Sequence, residues 1–206
     1  VSFSIDKLAH RFSLSEEFLG DLPGASQFIT SQIQGGLIEK MNANIITDVK
    51  ANDTDFAAGS FALAIESANE FDVLMVAINQ LRLGNYNPDT ILLNPDDFVK
   101  MSLLKDTTNT YLRGTTGTNL VENVQGVRIT QSPAVTSGTY HVMDTSSYAR
   151  YYNRESLTVQ VGFDGNDFSS GKRTAIAVHR GTLAIFDVKA CVTGTFSNNK
   201  AALETA

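Results

Sequence analysis

Residues 87–113, NPDTILLNPDDFVKMSLLKDTTNTYLR, hold the strand-to-helix junction that decides how this chain is read. Thr90 to Leu93 is a short apolar run of strand type. Asn94 follows as an N-cap, because its side-chain oxygen can accept a backbone N–H that a helix start leaves without a partner. Pro95 suits the first helical position, where a missing N–H costs nothing. Asp96 and Asp97 then place negative charge at the positive end of the helix dipole. Phe98, Met101, Leu103 and Leu104 supply the apolar face, with Lys105 at the last turn. The helix gives way to the polar run Asp106 to Thr110, then Tyr111 and Leu112. The stretch holds no nucleophile elbow, phosphate-cradling loop or metal-ligand spacing. It is a structural signature, pointing to an assembly protein rather than an enzyme.

On the N-terminal side, Ser67 to Leu83 carries a helical pattern with Phe71, Leu74, Met75, Ile78 and Leu81 on one face, closed by Gly84-Asn85. Lys50 to Gly59 is polar and turn-rich, a crossing between structural units. Before it lies the longest helical pattern, Gly24 to Val49, in which Ile29, Ile33, Leu37 and Met41 recur every four residues beside Phe28, Ile38 and Ile45. Gly35 and Gly36 interrupt that pattern. Each costs about 1 kcal/mol against Ala in a helix interior, so the pair suggests a bend or a close backbone approach. Val1 to Phe12 alternates as a half-buried strand, and Ser13 to Glu16 has the spacing of a capping box for a short helix ending near Gly20. The chain starts at Val1 in the middle of alternating sequence, so an upstream segment is expected.

On the C-terminal side, Arg113 to Asn123 is a Gly/Thr-rich loop, and from Gly126 onward the pattern is β. Strands are predicted over Val127–Thr130, Thr139–Met143, Tyr148–Asn153, Leu157–Val161, Arg173–Val178 and Leu183–Val192. Phe163 to Gly171 reads as a loop, and the Ala-rich tail after Phe196 is expected to fray. Helix and strand mix without a βαβ rhythm or an internal repeat, which gives the α+β class.

Composition narrows the function. Sixteen basic residues against 22 acidic ones give a net charge of −6, unlike the clustered Lys and Arg of a nucleic-acid surface. The single cysteine, Cys191, excludes an internal disulfide framework and reads as a packed strand residue. The longest apolar run, Val73 to Ile78, is too short to span a bilayer. With no signal-peptide pattern, the expectation is an intracellular protein without a membrane partner. His10, His141 and His179 fall in separate strands with no second ligand at metal spacing. Asn52 to Asp55 and Asp164 to Asp167 are oxygen-rich but read as solvated turns, since neither matches a calcium loop. No catalytic residue, cofactor site or metal site is nominated.

The order of features, more than any single one, carries a family resemblance. ILLNPDDFVKMSLLKDTTNTYL resembles the Leu-Asn-Pro, helix, Lys-Asp, Tyr-Leu segment of tailed-bacteriophage major capsid proteins, the fold shared with encapsulins. SLSEE at 13–17, followed by Leu19 and Asp21, looks like the lead into that family's spine helix. Gly126 to Ile129 with Ser132-Pro133 and Gly138 resembles its Gly-x-Pro-Val strand and turn, with Arg128 where proline is usual. Arg154 to Val159, Phe168, His179-Arg180-Gly181 and Lys189 to Val192 complete a series running from about Leu8 to Phe196.

The resemblance implies a peripheral domain (1–55 and 150–196, spine helix 24–49), an axial domain (56–149) and a flexible tail (197–206). It implies a non-enzymatic major capsid protein whose copies form the pentamers and hexamers of an icosahedral shell around double-stranded DNA. Scaffolding protein, maturation protease and portal are the implied partners, with no cofactor and no sequence-specific nucleic-acid binding. The implied location is the virion capsid, assembled in the bacterial cytoplasm. Structural or assembly roles would fall on Gly35, Gly36, Asn94, Pro95, Asp97, Lys105, Tyr111, Arg113, Arg154, Glu155 and Arg180. The Gly35-Gly36 pair would let the long helix bend during shell maturation. The family's extended loop would lie just upstream of Val1. Where some members carry the Asn and Glu of an isopeptide cross-link, this chain has Gly171 and Val178, so no cross-link is expected. The alternatives are an encapsulin-type compartment shell and, from another class, a small intracellular α+β hydrolase or ligand-binding protein.

Overall fold

The computed structural model describes residues 4–15, 17, 25–61, 64–105, 109 and 123–205. It divides into two compact units, one of residues 1–45 and 151–184, the other of residues 46–150 and 185–206. Residues 46–55 and 185–196, expected with the peripheral part, are thus grouped with the second unit.

The first unit is a helix on a three-stranded sheet, ordered β1 (Asp6–Ser15), β8 (Lys172–Ile185), β7 (Ala149–Gly162). Strand β1 runs antiparallel to β8, from Asp6 opposite Gly181 to Ser15 opposite Lys172. Ser13 is therefore a strand residue, its hydroxyl 2.6 Å from that of Thr174, and not the cap of a helix. Glu16 and residues 18–20 lie outside the described residues. Helix α1 (Ala25–Ala51) is a single helix through both glycines. It buries Ile33 and Leu37 against Leu8, Ala175 and Ala177, with Met41 packed beside them. Ile38, expected near this stripe, is 47% exposed.

The strands predicted on either side of residues 154–156 join in one long strand, β7, and Arg173–Val178 runs on through Leu183–Ile185 in β8. The rest of the strand expected over Leu183–Val192 is broken by a 3-10 turn at Val188–Ala190, and a new strand starts at Cys191. Residues 154–156 and 180–182 look like breaks because they are polar or carry glycine. A neighbouring strand overrides such local signals by pairing the backbone. Leu157 and Val159 pack toward the cluster on α1, while Val161, on the same side of β7, is exposed.

The second unit has the larger core. Its mixed sheet runs β2 (Thr54–Asp55), β9 (Cys191–Thr195), β6 (Thr139–Met143), β3 (Thr90–Leu93), β5 (Val127–Gln131), β4 (Asn123–Val124). Strand β3 is parallel to β5 and antiparallel to β6, and β2 is parallel to β9. Helix α2 (Glu70–Leu83) starts at Asn69, which forms a capping box with Asp72. It buries Phe71, Val73, Leu74, Val76, Ala77, Ile78 and Leu81, while Met75, expected inward, is 38% exposed. Helix α3 (Pro95–Ser102) follows β3; α4 (Thr145–Tyr148) is a single turn; α5 (Phe196–Glu204) ends the chain.

The tail expected to fray is that last helix. Phe196 and Leu203 are buried, and Lys200 Nζ lies 2.6 Å from a Glu70 carboxylate oxygen. Asn199 donates to the Tyr140 hydroxyl at 2.7 Å, and the Tyr140 and Phe196 rings lie 4.9 Å apart. A β-carbon on Gly194 would run into the Asn199 amide and the Tyr140 hydroxyl, so a larger residue would have to displace that pair where α5 closes on the sheet.

Candidate functional site

The junction at 94–97 is a clamp on a distant turn. Asn94 accepts the Asp96 N–H at 3.0 Å, as its capping role requires, and donates through Nδ2 to the Val135 carbonyl at 2.6 Å. Pro95 occupies the first turn of α3. Asp97 is buried and accepts from Gly138 N at 2.5 Å, Ser137 Oγ at 3.0 Å and Lys100 Nζ at 2.9 Å. Burial pushes this carboxyl up, but the Gly138 N–H, Lys100 and Ser137 outweigh it and hold it below the ordinary carboxylate range. Asp97 therefore ties α3 to the 132–138 turn as well as facing the helix dipole. Gly138, at φ +85°, gives that turn its left-handed corner. The basic residue of the last turn is Lys100; Lys105 lies beyond the end of α3, and Leu103 is 56% exposed.

A second clamp surrounds α4. Asp144 accepts the Ser146 and Ser147 N–H groups, both serine hydroxyls and the Asn87 N–H. Burial works against its ionisation, yet these donors hold it low. The turn sets Tyr148, expected in a strand, so that its hydroxyl donates to the Asn52 carbonyl at 2.7 Å, near the end of α1. The Asp-Thr-Ser-Ser run at 144–147 is a legible N-cap signal that strand periodicity obscured.

Beneath β2 lies a buried polar group. His141 Nδ1 is 2.8 Å from Thr193 Oγ1 and 3.8 Å from Asp53 Oδ2, an oxygen with no hydrogen-bond partner among the described residues. Burial, reinforced by Lys50, lowers the His141 pKa to about 4, so the ring is neutral at physiological pH. Burial raises the Asp53 carboxyl, and Asp55 adds to it. Cys191 is fully buried, and burial pushes its thiol far up, out of the range of a reactive thiolate.

In the first unit, Gly36 is a close approach: a β-carbon there would lie 2.8 Å from His10 Nε2. At Gly35 it would meet nothing within 4 Å. His179 is buried, stacks on Tyr151 and lies 2.8 Å from its hydroxyl. The 163–171 connection is held by Asp167, which accepts from the Asp164 N–H and the Thr174 hydroxyl. Strand alternation puts Arg154 and Glu155 on opposite faces of β7. Tyr111 and Arg113 lie outside the described residues.

The named residues do not converge on one pocket. Asn94, Pro95 and Asp97 form a clamp, Arg154 and Arg180 belong to the other unit, and Gly36 faces His10. Among the described residues no group of three or more His, Cys, Asp or Glu could hold a metal ion. No described helix is long and apolar enough to cross a membrane.

The chain is 23% identical over 202 residues to the major capsid protein of Enterobacteria phage HK97, covering 95% of this chain and 52% of that protein. It thus spans about half the length of that relative. A solved chain from Gordonia phage Cozz superposes with a TM-score of 0.75 at 14% identity, over 94% of this chain and 70% of its own. The capsid of an empty GTA particle gives 0.71 at 14% identity, over 93% and 73%. A virus-like particle from Pyrococcus furiosus gives 0.64 at 15% identity, over 92% and 76%. At these identities the superpositions establish the fold, a mixed α and β capsid fold. Residues 1–196 match the family described as the phage capsid family, and the chain belongs to it.

Proposed function

We propose that the protein containing this chain is a major capsid protein, a structural subunit that associates with copies of itself to build an icosahedral phage or prophage head around double-stranded DNA. The observation that carries this is the family match over residues 1–196, together with a fold whose conspicuous polar residues hold elements together. The first unit, with α1 and the long strands, is the peripheral part, and the second is the axial part, in pentamers and hexamers. A scaffolding protein, a maturation protease and a portal are its assembly partners, in the cytoplasm of a bacterial host. The role is structural rather than catalytic.

Electron microscopy of the full-length protein, co-expressed with its neighbouring scaffold and protease genes, tests the reading. Closed shells are expected, and uniformly small particles would overturn it. Shells that enclose a protein cargo and never DNA would move it to the encapsulin-type reading. Gly171 and Val178 provide neither an amide nor a carboxylate, so denatured shells should run as single-subunit bands. Covalent ladders would contradict that.

A further inference from the structure

The two faces of the three-stranded sheet differ in charge. Leu8, Ala175 and Ala177 pack on α1, and Leu157 and Val159 point the same way. Side chains alternate along a strand, so the helix-free face takes the odd positions of β1 and the even positions of β7 and β8. The register agrees, pairing Lys7 with Arg180, Ala9 with Val178 and Arg11 with Ile176. Six cations fall on that face: Lys7, Arg11, Arg150, Arg154, Lys172 and Arg180. The strand acids, Asp6 and Glu155, fall on the other one. The acids that reach the basic side come from the 163–171 connection: Asp164 pairs with Arg11 at 2.5 Å, and Asp167 accepts from the Thr174 hydroxyl at 2.6 Å.

Setting those six cations aside leaves 10 basic against 22 acidic residues, so the rest of the chain carries −12. The basic face is also not purely polar. Ile176 and Val178 are half-buried at its centre, and Tyr152 is 47% exposed on the same side of β7. Nε of Arg180 is buried with no hydrogen-bond partner among the described residues. An apolar centre with Tyr and Arg around it is the make-up of a protein interface. Phosphates would use the cations and leave that centre unused.

We infer that the helix-free face of the β1–β8–β7 sheet docks the acidic surface of a second copy of the chain. The inference rests on the shell-building reading above, which supplies such a copy beside each subunit. Charge complementarity of this kind sets register and encounter rate more than raw affinity, so it shows in the yield and salt dependence of assembly.

The test compares full-length wild type with two triple variants, Lys7→Glu/Arg154→Glu/Lys172→Glu and Lys7→Gln/Arg154→Gln/Lys172→Gln. Circular dichroism and the thermal midpoint of the unassembled subunits serve as the folding control. Shell yield of the glutamate variant should fall about tenfold at about 0.1 M salt, where charges act over about 10 Å. Wild-type yield should fall as salt rises, and the glutamine variant should lose most of that dependence. It carries the comparison alone if the glutamate variant misfolds. Wild-type yields and salt dependence in the folded variants would overturn the inference. So would variants that assemble normally but retain less DNA, which would mark the face as a polyanion contact. Failure of the wild type itself to form shells would remove the underlying proposal and this inference with it.

Discussion

The two units bury their apolar residues in different ways. In the second, α2 lays a broad face on a mixed sheet, and α3 and α5 add Phe98, Met101 and Leu203 to the same cluster. In the first, one helix meets one sheet through Ile33, Leu37 and Leu8 over the small side chains of Ala175 and Ala177. Long polar strands carry that contact outward, with Val161 and Phe168 exposed at 60% and 81%. A deep core over-determines its structure. A thin two-layer unit leaves sheet surface available, consistent with a role in contacts between copies.

The largest expected effect sharpens that contrast. Leu74→Ala, in the fully buried face of α2, should cost about 3–4 kcal/mol, since a dense core collapses poorly around a cavity. Leu37→Ala should cost closer to about 2 kcal/mol, because the thin unit can relax around it. Urea unfolding followed by circular dichroism measures both, and the reverse order would break the comparison. Next comes the clamp at the base of α3. Asp97→Ala leaves the Gly138 N–H without its acceptor and should cost about 2 kcal/mol in the same assay.

The two carboxylates and His141 give the second unit an acid signature. Asp97 and Asp144 are held below their ordinary values, so they bind protons more readily unfolded than folded. Their stabilisation is complete above the ordinary carboxylate range and is lost as pH falls through the lowered values. His141 acts higher. Its pKa is lowered from 6.5 to about 4, so stability present above 6.5 is lost as pH falls toward 4. Asp53, raised by burial, opposes this slope at its lower end. Urea midpoints measured against pH should show the loss, and His141→Gln should flatten it. An unchanged slope would mean that the ring is not buried as a neutral group.

The smallest effect lies in the first unit. Gly35→Ala adds a β-carbon to open space in a helix and should stabilise by up to about 1 kcal/mol. Gly36→Ala has the same helical gain but must displace the His10 ring, so it should stabilise less or destabilise. Equal thermal midpoints for the two variants would show that His10 gives way freely. If bending at this pair serves shell maturation, the double alanine variant should assemble but expand poorly.

What the sequence determined by itself was everything decided within a few residues. Thr90–Leu93 as a strand, Asn94 as a cap, Pro95 as the first helical residue and α1 as one long helix all rest on local backbone preferences and periodicity. The ordered motifs led to the family, because order along a chain needs no coordinates. Tertiary structure alone decided where distant residues meet. Asp97 read as a dipole partner because its donors lie 40 and 41 residues away, at Ser137 and Gly138. The tail looked frayed because Leu203 finds its burial only against α2 and its neighbours. Residues 180–182 looked like a break because pairing with β1 and β7 is invisible in a single strand's sequence. The basic face emerged only once register put Lys7 beside Arg180 and pleating turned Asp6 and Glu155 away. Charges scattered along a sequence become a surface only when hydrogen bonding fixes which side chains share a side.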